Sequence, residues 1–210
     1  MFTNDTLQGR TALITGGGSG LGRAMAYVFA RLGANVMICG RRLEKLEETA
    51  AGIRQHLGRE IACEAMTIRD PAAVDALMAA TWERFGGLDH LVNNAGQLVL
   101  ERVDDWTDAA FRQMFEVHAL APALLARDFG RRGTPGAIVN IASTLAVHTD
   151  KGCAAYSAAK AALVSITRSL ALELAPRKIR CNALLVGAVP TAMTEGRMDK
   201  LEKLHPLGAG

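Results

Sequence analysis

Tyr156 and Lys160 lie four residues apart in a segment rich in alanine. In a helix, side chains at positions i and i+4 share a face, so the Lys160 ammonium is expected close to the Tyr156 phenol. A cation about 5 Å from a phenolate, at an effective dielectric constant of about 20, contributes about 3 kcal/mol and lowers a phenol pKa of about 10 by roughly two pKa units. Such a phenol acts as an acid or base near neutrality. The pair predicts an oxidoreductase site, although an isolated pair at this spacing is also found on ordinary helix surfaces.

Ser143 is predicted to lie near this pair because of the segment that precedes it. Residues 133–136 contain two glycines and a proline that break the chain, and residues 137–142 form an apolar run typical of a short buried strand. Ser143 therefore follows the carboxyl end of a predicted strand. In open α/β sheets, ligands bind at that end.

A glycine-rich segment, residues 16–22, separates a predicted strand at Arg10–Thr15 from a predicted helix at Arg23–Leu32, and a second strand is predicted at Asn35–Cys39. Glycines permit positive φ and let the backbone approach a pyrophosphate, which then lies at the positive end of the helix. A glycine-rich surface turn is the alternative. The position between a strand and a helix favours dinucleotide binding, although the spacing is Gly-x-x-x-Gly-x-Gly rather than the commoner Gly-x-Gly-x-x-Gly.

Helical and strand-like segments alternate along the rest of the chain. The helix predicted at Pro71–Phe85 has a clear start, because Asp70 is a favourable N-cap and proline a favourable first residue. Alternating helices and apolar strands predict an α/β fold: a Rossmann-like doubly wound parallel sheet in three α/β/α layers, as a single domain over residues 1–210. The other predicted elements are helices 42–57, 107–131 (interrupted at Pro122) and 153–174, and strands 61–68, 89–93, 138–142 and 179–186.

Composition excludes several classes of protein. The 210 residues are 50% hydrophobic and carry a formal net charge of +3, which gives no reason to expect a nucleic acid or a membrane surface as partner. Residues 1–6 do not resemble a secretory signal and no apolar stretch has the length of a membrane span, so the expected compartment is the cytoplasm. Scattered Cys39, Cys63, Cys153 and Cys181 are expected to be reduced, and no metal site is predicted.

Together these motifs resemble the short-chain dehydrogenase/reductase family. Residues 15–22 match its Thr-Gly-x-x-x-Gly-x-Gly cofactor turn, residues 93–96 match its Asn-Asn-Ala-Gly segment, and Ser143, Tyr156 and Lys160 match its catalytic serine, tyrosine and lysine. The resemblance extends over nearly the whole chain. It implies that a nicotinamide cofactor contacts Gly16, Gly18, Ser19, Gly20, Leu21, Arg41, Arg42, Thr67, Ile68, Asn94, Ala95, Gly96, Tyr156, Lys160, Gly187, Val189 and Thr191.

The end of the second predicted strand should decide which nicotinamide cofactor binds. A carboxylate there binds the adenosine ribose of NAD, whereas an arginine meets the 2′-phosphate of NADP. The chain has Arg41 and Arg42, and no acidic residue before Glu44. The planar charged fork of arginine suits a phosphate, so the sequence predicts NADP(H) in preference to NAD(H). The alternative is a solvated basic turn that leads into a helix.

The resemblance implies hydride transfer between the nicotinamide and a carbonyl or secondary alcohol. Ser143 would hydrogen-bond the substrate oxygen and Tyr156 would exchange a proton with it. Lys160 would lower the phenol pKa and hold the nicotinamide ribose. The resemblance also implies a small-molecule substrate and a homo-oligomer, either a dimer or a tetramer.

Residues 97–100, 145–148 and 193–204 are expected to line the mouth of the substrate pocket. They are mostly apolar, which favours a hydrophobic ketone, alcohol or acyl thioester. Reduction of a ketone or 3-oxoacyl group is favoured over reduction of a 2-enoyl or 2,4-dienoyl thioester, because Tyr156 is in its carbonyl-reducing place. A sensor or scaffold that binds the dinucleotide without turnover is the alternative of another class.

The chain departs from the family pattern at four places. His118 replaces an asparagine that supports a water relay to the lysine, and a buried helix histidine without a chemical task is the alternative. Thr67 replaces an acidic residue beside the adenine, and Val186 replaces a proline near the nicotinamide. The family continues beyond Gly210 with a helix and a strand. The sequence is therefore interpreted as a fragment of a longer protein; the alternative is that a partner covers the apolar edge strand at residues 179–186. The 210-residue form alone is expected to be less stable and less active than longer members of the family.

Overall fold

Strands and helices alternate along the chain, as the sequence predicts. The structure is a computed structural model that describes residues 3–132, 134–192 and 194. The strands are β1 (Thr11–Thr15), β2 (Asn35–Gly40), β3 (Ala62–Ala65), β4 (His90–Asn93), β5 (Gly136–Ser143) and β6 (Ile179–Val186). The α-helices are α1 (Gly20–Arg31), α2 (Leu43–Leu57), α3 (Pro71–Phe85), α4 (Asp108–Phe115), α5 (Ala121–Arg132) and α6 (Ala154–Leu174).

The six strands form one parallel sheet in the order β3-β2-β1-β4-β5-β6. The chain runs outward from β1 to β3, returns to pair β4 with the other side of β1, and continues outward to β6. The order therefore reverses between β1 and β4. In an open α/β sheet, a crevice forms at the carboxyl ends of the two strands that flank such a reversal.

Helices cover both faces of the sheet, because successive strand residues point to opposite sides. Leu13 packs with α3 and α5, whereas the next residue, Ile14, packs with α1 and α2. Adjacent residues of β2 and β4 divide between the two clusters in the same way. The predicted doubly wound, three-layer α/β/α fold is thus confirmed.

The predicted helix at residues 107–131 is interrupted, as expected, but the predicted position of the interruption, Pro122, is wrong. The break is a π-helical turn at Glu116–Leu120, between α4 and α5, and Pro122 lies in the first turn of α5. In this turn the Ala121 N–H donates to the Glu116 carbonyl, five residues back. Pro122 has no N–H to continue a regular ladder, so the wider turn lies on its N-terminal side.

Other element boundaries differ by a few residues. Strand β3 is shorter than the predicted 61–68, and β5 extends to Ser143 itself. Strand β6 has the predicted bounds and forms one edge of the described sheet, where the Leu184 side chain is 53% exposed. None of the helices in the described ranges combines the length and apolarity needed to cross a bilayer.

Candidate active site

Hydrogen bonds join the ends of β1 and β4 where the sheet order reverses. The Thr15 Oγ1 accepts from the backbone N–H groups of Asn94 (3.0 Å) and Ala95 (2.9 Å). In return, the Asn94 side-chain amide donates to the Thr15 carbonyl at 2.9 Å. These bonds fix the residues after β4 against the residues after β1 at the mouth of the crevice.

The glycine turn fits the role of a pyrophosphate cradle. Gly16 has a φ of +71°, and a Cβ at this position would lie 2.9 Å from the Ala95 Cα, so a side chain is excluded both by conformation and by space. Helix α1 begins at Gly20, and its first turn has no acidic residue to compete for the positive end of the helix. Backbone N–H groups at such an end bind anions.

A second, basic cavity of about 140 Å³ extends from the glycine turn over β2 and β3. Its described lining includes the side chains of Arg41, Arg42, Lys45 and Arg69 and no acidic side chain. Lys45 is paired with Glu48, and Arg69 with Glu116. Within the described ranges no carboxylate lies within ion-pair distance of Arg41 or Arg42, which leaves both exposed guanidinium groups able to bind a phosphate.

Ser143, Tyr156 and Lys160 meet on one wall of a larger cavity of about 620 Å³. Ser143 is the last residue of β5, is 7% exposed, and its Oγ accepts from the Leu145 N–H at 3.2 Å. Tyr156 and Lys160 lie one turn apart in α6, and the Lys160 Nζ is 5.8 Å from the centre of the Tyr156 ring. The predicted convergence of the three side chains is therefore present.

Lys160 is buried behind this wall. Its Nζ donates to the Ile141 carbonyl at 2.6 Å, and the residue as a whole is 4% exposed. Burial penalises the ammonium and lowers the pKa of Lys160 from 10.5 to about 8.

The expected lowering of the Tyr156 pKa is wrong in this structure. Burial of the phenol raises the pKa of Tyr156 above its usual value, and hydrogen bonding with Ser143 acts in the opposite direction but is the smaller effect. Desolvation penalises the phenolate, and the Lys160 Nζ lies 5.8 Å from the centre of the ring. Tyr156 therefore holds its proton at neutral pH.

All the residues predicted to contact the cofactor line one of the two adjoining cavities. The larger cavity is lined by Gly16, Ser19, Gly20, Leu21, Asn94, Ala95, Gly96, Tyr156, Lys160, Gly187, Val189 and Thr191. The smaller cavity adds Gly18, Arg41, Arg42, Thr67 and Ile68. The two cavities share the glycine turn and the segment after β4, so together they form one elongated site.

The loop after β6 lies against the glycine turn. Its Thr194 Oγ1 donates to the Val189 carbonyl at 2.6 Å, and the Thr191 Cγ2 lies 3.4 Å from the position that a Cβ on Gly20 would occupy. This loop borders the larger cavity without the proline that the family pattern has at Val186.

The predicted mouth of the substrate pocket is only partly found. Leu98, Leu145 and His148 line the larger cavity. Of the third predicted stretch, residue 194 lines the cavity, and residues 193 and 195–204 lie outside the described residues.

Several residues that line the larger cavity are not among those that the sequence predicts, and in the loop before α6 these are Thr149, Asp150 and Cys153. They make this wall more polar than predicted. Their position in the sequence could have identified them, because the loop that joins Ser143 to Tyr156 has to pass beside the reacting groups.

Comparisons with known proteins agree with this geometry. A family profile described as short chain dehydrogenase matches residues 10–202. The chain is 32% identical over 199 residues to 3-oxoacyl-[acyl-carrier-protein] reductase FabG of Vibrio cholerae, covering 92% of this chain and 79% of that protein.

Two solved structures that hold a cofactor are also similar. A short-chain dehydrogenase from Burkholderia cenocepacia J2315, in complex with NADP, has a TM-score of 0.89 and 36% identity over 94% of this chain and 82% of its own. L-Sorbose reductase from Gluconobacter frateurii, complexed with NADPH and L-sorbose, has a TM-score of 0.86 and 31% identity over 96% of this chain and 77% of its own.

Proposed function

Because the chain belongs to the short-chain dehydrogenase/reductase family and is thus an NAD(P)-dependent oxidoreductase, we propose that it is an NADPH-dependent carbonyl reductase. Its substrate would be an apolar ketone or a 3-oxoacyl compound, and the reverse reaction would oxidise the secondary alcohol with NADP. The observation that carries the proposal is the convergence of Ser143, Tyr156 and Lys160 on a cavity that continues into a basic one.

Tyr156 is the proposed proton donor. Because burial raises its pKa, the phenol is protonated at neutral pH and suits the acid that reduction of a carbonyl requires. Ser143 lies at the end of β5 on the same wall, where its hydroxyl would hydrogen-bond the carbonyl oxygen and hold it near the phenol. The nicotinamide supplies the hydride when it is bound.

Lys160 is proposed to orient rather than to react. Its ammonium is fixed by the Ile141 carbonyl at 2.6 Å and still lines the larger cavity. From there it would donate to the nicotinamide ribose hydroxyls. Its charge would also stabilise a developing phenolate on Tyr156 during proton transfer.

The preference for NADPH over NADH is proposed from the smaller cavity. Arg41 and Arg42 border it, and its described lining has no acidic side chain that would repel a phosphate. The 2′-phosphate would bind these guanidinium groups, and the pyrophosphate would lie at the glycine turn. The two similar structures that hold NADP or NADPH support this assignment.

The proposed substrate class rests on apolar residues that line the larger cavity and on one relative. Leu98, Leu145 and Val189 give the larger cavity an apolar side, suited to an acyl chain or an apolar ketone. The similarity to the 3-oxoacyl reductase of Vibrio cholerae points to the same class. A thioester group could lie against the more polar part near Thr149.

A panel assay tests this proposal. NADPH and NADH absorbance would be followed with ketones, 3-oxoacyl thioesters and 2-enoyl thioesters, using the wild type and an Arg41→Ala/Arg42→Ala variant. We expect NADPH oxidation with the carbonyl compounds. Because a hydrogen bond to a charged group is worth about 1.5–3 kcal/mol and solvent screens these two exposed arginines, we expect the variant to lose about the equivalent of one such bond, roughly 10- to 100-fold in kcat/KM for NADPH, and less than about threefold for NADH.

Arg31→Ala and Arg54→Ala are the matched controls, because both arginines are exposed and line neither cavity. Equal losses in the controls would contradict the assignment of the phosphate site. Turnover of enoyl thioesters alone would favour the enoyl reductase. Binding of NADPH without turnover of any compound would favour the sensor.

A further inference from the structure

We propose that His118 is a positioning residue that holds the loop after β4 and the Tyr156 ring in register with each other. The inference rests on the proposed function and adds to it a residue of the π-helical turn. The imidazole lies between two parts of the site that belong to different elements. One is the cofactor-lining loop at residues 94–97, and the other is the phenol on α6.

The first contact joins His118 to the loop after β4. The His118 Nε2 lies 2.8 Å from the Gln97 carbonyl oxygen and 3.5 Å from the Gln97 backbone nitrogen. The short distance to the carbonyl oxygen identifies this nitrogen as the one that carries the proton and donates. The bond holds the backbone next to Gly96, which lines both cavities.

The protonation of the ring supports this arrangement. His118 is 1% exposed, and burial together with the nearby Lys160 charge lowers the pKa of His118 from 6.5 to about 3. The ring is therefore neutral at physiological pH and has one N–H, which the Gln97 carbonyl accepts. The buried Nδ1 has no hydrogen-bond partner among the described residues, so Gln97 supplies the hydrogen bond that orients the ring.

The second contact is with Gly96 itself. The His118 Cε1 lies 2.8 Å from the position that a Cβ on Gly96 would occupy. Any side chain at residue 96 would displace the imidazole, so the ring and the loop backbone fit each other only with glycine.

The third contact reaches the reacting group. The rings of His118 and Tyr156 are 5.1 Å apart between centroids and inclined at 83°, which is the edge-on geometry that aromatic rings prefer. This contact limits where the Tyr156 side chain can lie. The phenol is thereby held on the cavity wall that it shares with Ser143.

The π-helical turn gives the ring this position. Val117 packs into the core beneath α3 and α5, and the next residue, His118, reaches the cavity. The turn is fixed from outside by the Arg69–Glu116 ion pair, with Nε and Oε2 2.7 Å apart. Wide turns of this kind are found frequently at functional sites.

Two substitutions separate the hydrogen bond with Gln97 from the ring contact with Tyr156. His118→Phe keeps an aromatic edge against Tyr156 and removes the bond to Gln97. His118→Gln keeps an amide that can donate to the Gln97 carbonyl and removes the ring. The matched control is Met114→Ala, because Met114 is fully buried one turn earlier in α4 and lines neither cavity.

The experiment measures kcat, KM and thermal stability for each variant, with NADPH and the best carbonyl substrate. We expect each His118 variant to lose at least about fivefold in kcat with KM changed less than threefold, because positioning of reacting groups affects the chemical step. Met114→Ala should lose stability and keep its kcat per folded molecule. Unchanged kcat in both His118 variants, or an equal loss in Met114→Ala, would overturn the proposal.

A spectroscopic readout keeps this test independent of turnover. The chain has two tyrosines, so Tyr156 gives the only tyrosine ring signals in a Tyr27→Phe background. We expect both His118 variants to shift these signals, and Met114→Ala to leave them in place. If the wild type reduces none of the compounds, the proposed function fails, and unshifted Tyr156 signals would separately overturn the positioning role.

A measurement on the wild type covers the case in which the variants do not fold. The proposal predicts one slowly exchanging His118 ring proton, on Nε2, and nuclear Overhauser contacts between the His118 and Tyr156 rings. Absence of both would overturn it.

Discussion

At the scale of single residues, the site depends on a lysine whose charge is costly to bury. Lys160 is 4% exposed and its pKa falls to about 8, from 10.5. Below pH 8 the folded and unfolded states both carry the proton, and the full cost of burial is present. Between pH 8 and 10.5 the unfolded state binds more protons, so this contribution to stability rises with pH, and the cost disappears above 10.5.

Lys160→Met is therefore expected to stabilise the fold at pH 7 by about 1–3 kcal/mol while it abolishes turnover. Part of the gain is offset by the lost hydrogen bond to the Ile141 carbonyl. Urea denaturation at pH 7 and pH 9.5 should show that the variant and the wild type differ less in free energy of unfolding at the higher pH. Lys45→Met is the control, because Lys45 is on the surface and should change stability by less than about 0.5 kcal/mol. A Lys160→Met protein less stable than the wild type at pH 7 would contradict this account.

Tyr156 and Lys160 also show which properties of the site can be predicted from the sequence and which cannot. The spacing of Tyr156 and Lys160 predicts that they share a helix face, because that follows from helix geometry alone. The direction of the Tyr156 pKa could not be predicted in this way. It depends on how deeply the phenol is buried, which is a property of tertiary packing.

At the scale of elements, a chain of hydrogen bonds between buried polar side chains links β4, β5 and α6 beneath the site. Asn93 Nδ2 donates to Asn140 Oδ1 at 2.8 Å, and Asn140 Nδ2 donates to Thr167 Oγ1 at 2.8 Å. Asn140 is fully buried, three residues before Ser143. The chain fixes the strand that ends in Ser143 against the helix that holds Lys160.

Asn140→Ala should lower the free energy of unfolding by about 2–4 kcal/mol, because it leaves buried partners unsatisfied on both sides. Asn182→Ala is the matched control on the neighbouring strand. Asn182 is exposed on β6, and its loss should cost less than about 0.5 kcal/mol. Chemical denaturation of both variants measures the difference, and equal stability of the two would show that the polar chain does not join the elements.

Elements with local signals were predictable. Helix α3 begins at Pro71, as expected, and the Asp70 carboxylate caps it by accepting from the Ala72 N–H at 2.9 Å. The π-helical turn had no such signal, since proline predicts a disturbance but not its form. From the sequence alone, His118 is therefore equally consistent with a helix histidine without a chemical task, because its contacts with Gln97 and Tyr156 depend on the fold.

At the scale of the whole molecule, one site is assembled from both halves of the sheet. The alternation of helices and strands predicts a parallel sheet, but only the structure gives the order of its strands. That order brings the glycine turn after β1, the Asn94 segment after β4 and Ser143 at the end of β5 together at the carboxyl ends of the strands. The predicted cofactor contacts, which are spread from residue 16 to residue 191, therefore line two adjoining cavities.

We propose that this assembly transfers hydride to a carbonyl carbon while Tyr156 supplies the proton. The most direct test uses NADPH with deuterium at both C4 positions and a 3-oxoacyl thioester, with mass spectrometry of the product. Wild-type protein should place one deuterium on the new carbinol carbon. Tyr156→Phe should form this product at least about 100-fold more slowly while binding NADPH within about threefold of the wild type. Unlabelled product from the wild type, or labelled product from Tyr156→Phe at an undiminished rate, would contradict the account.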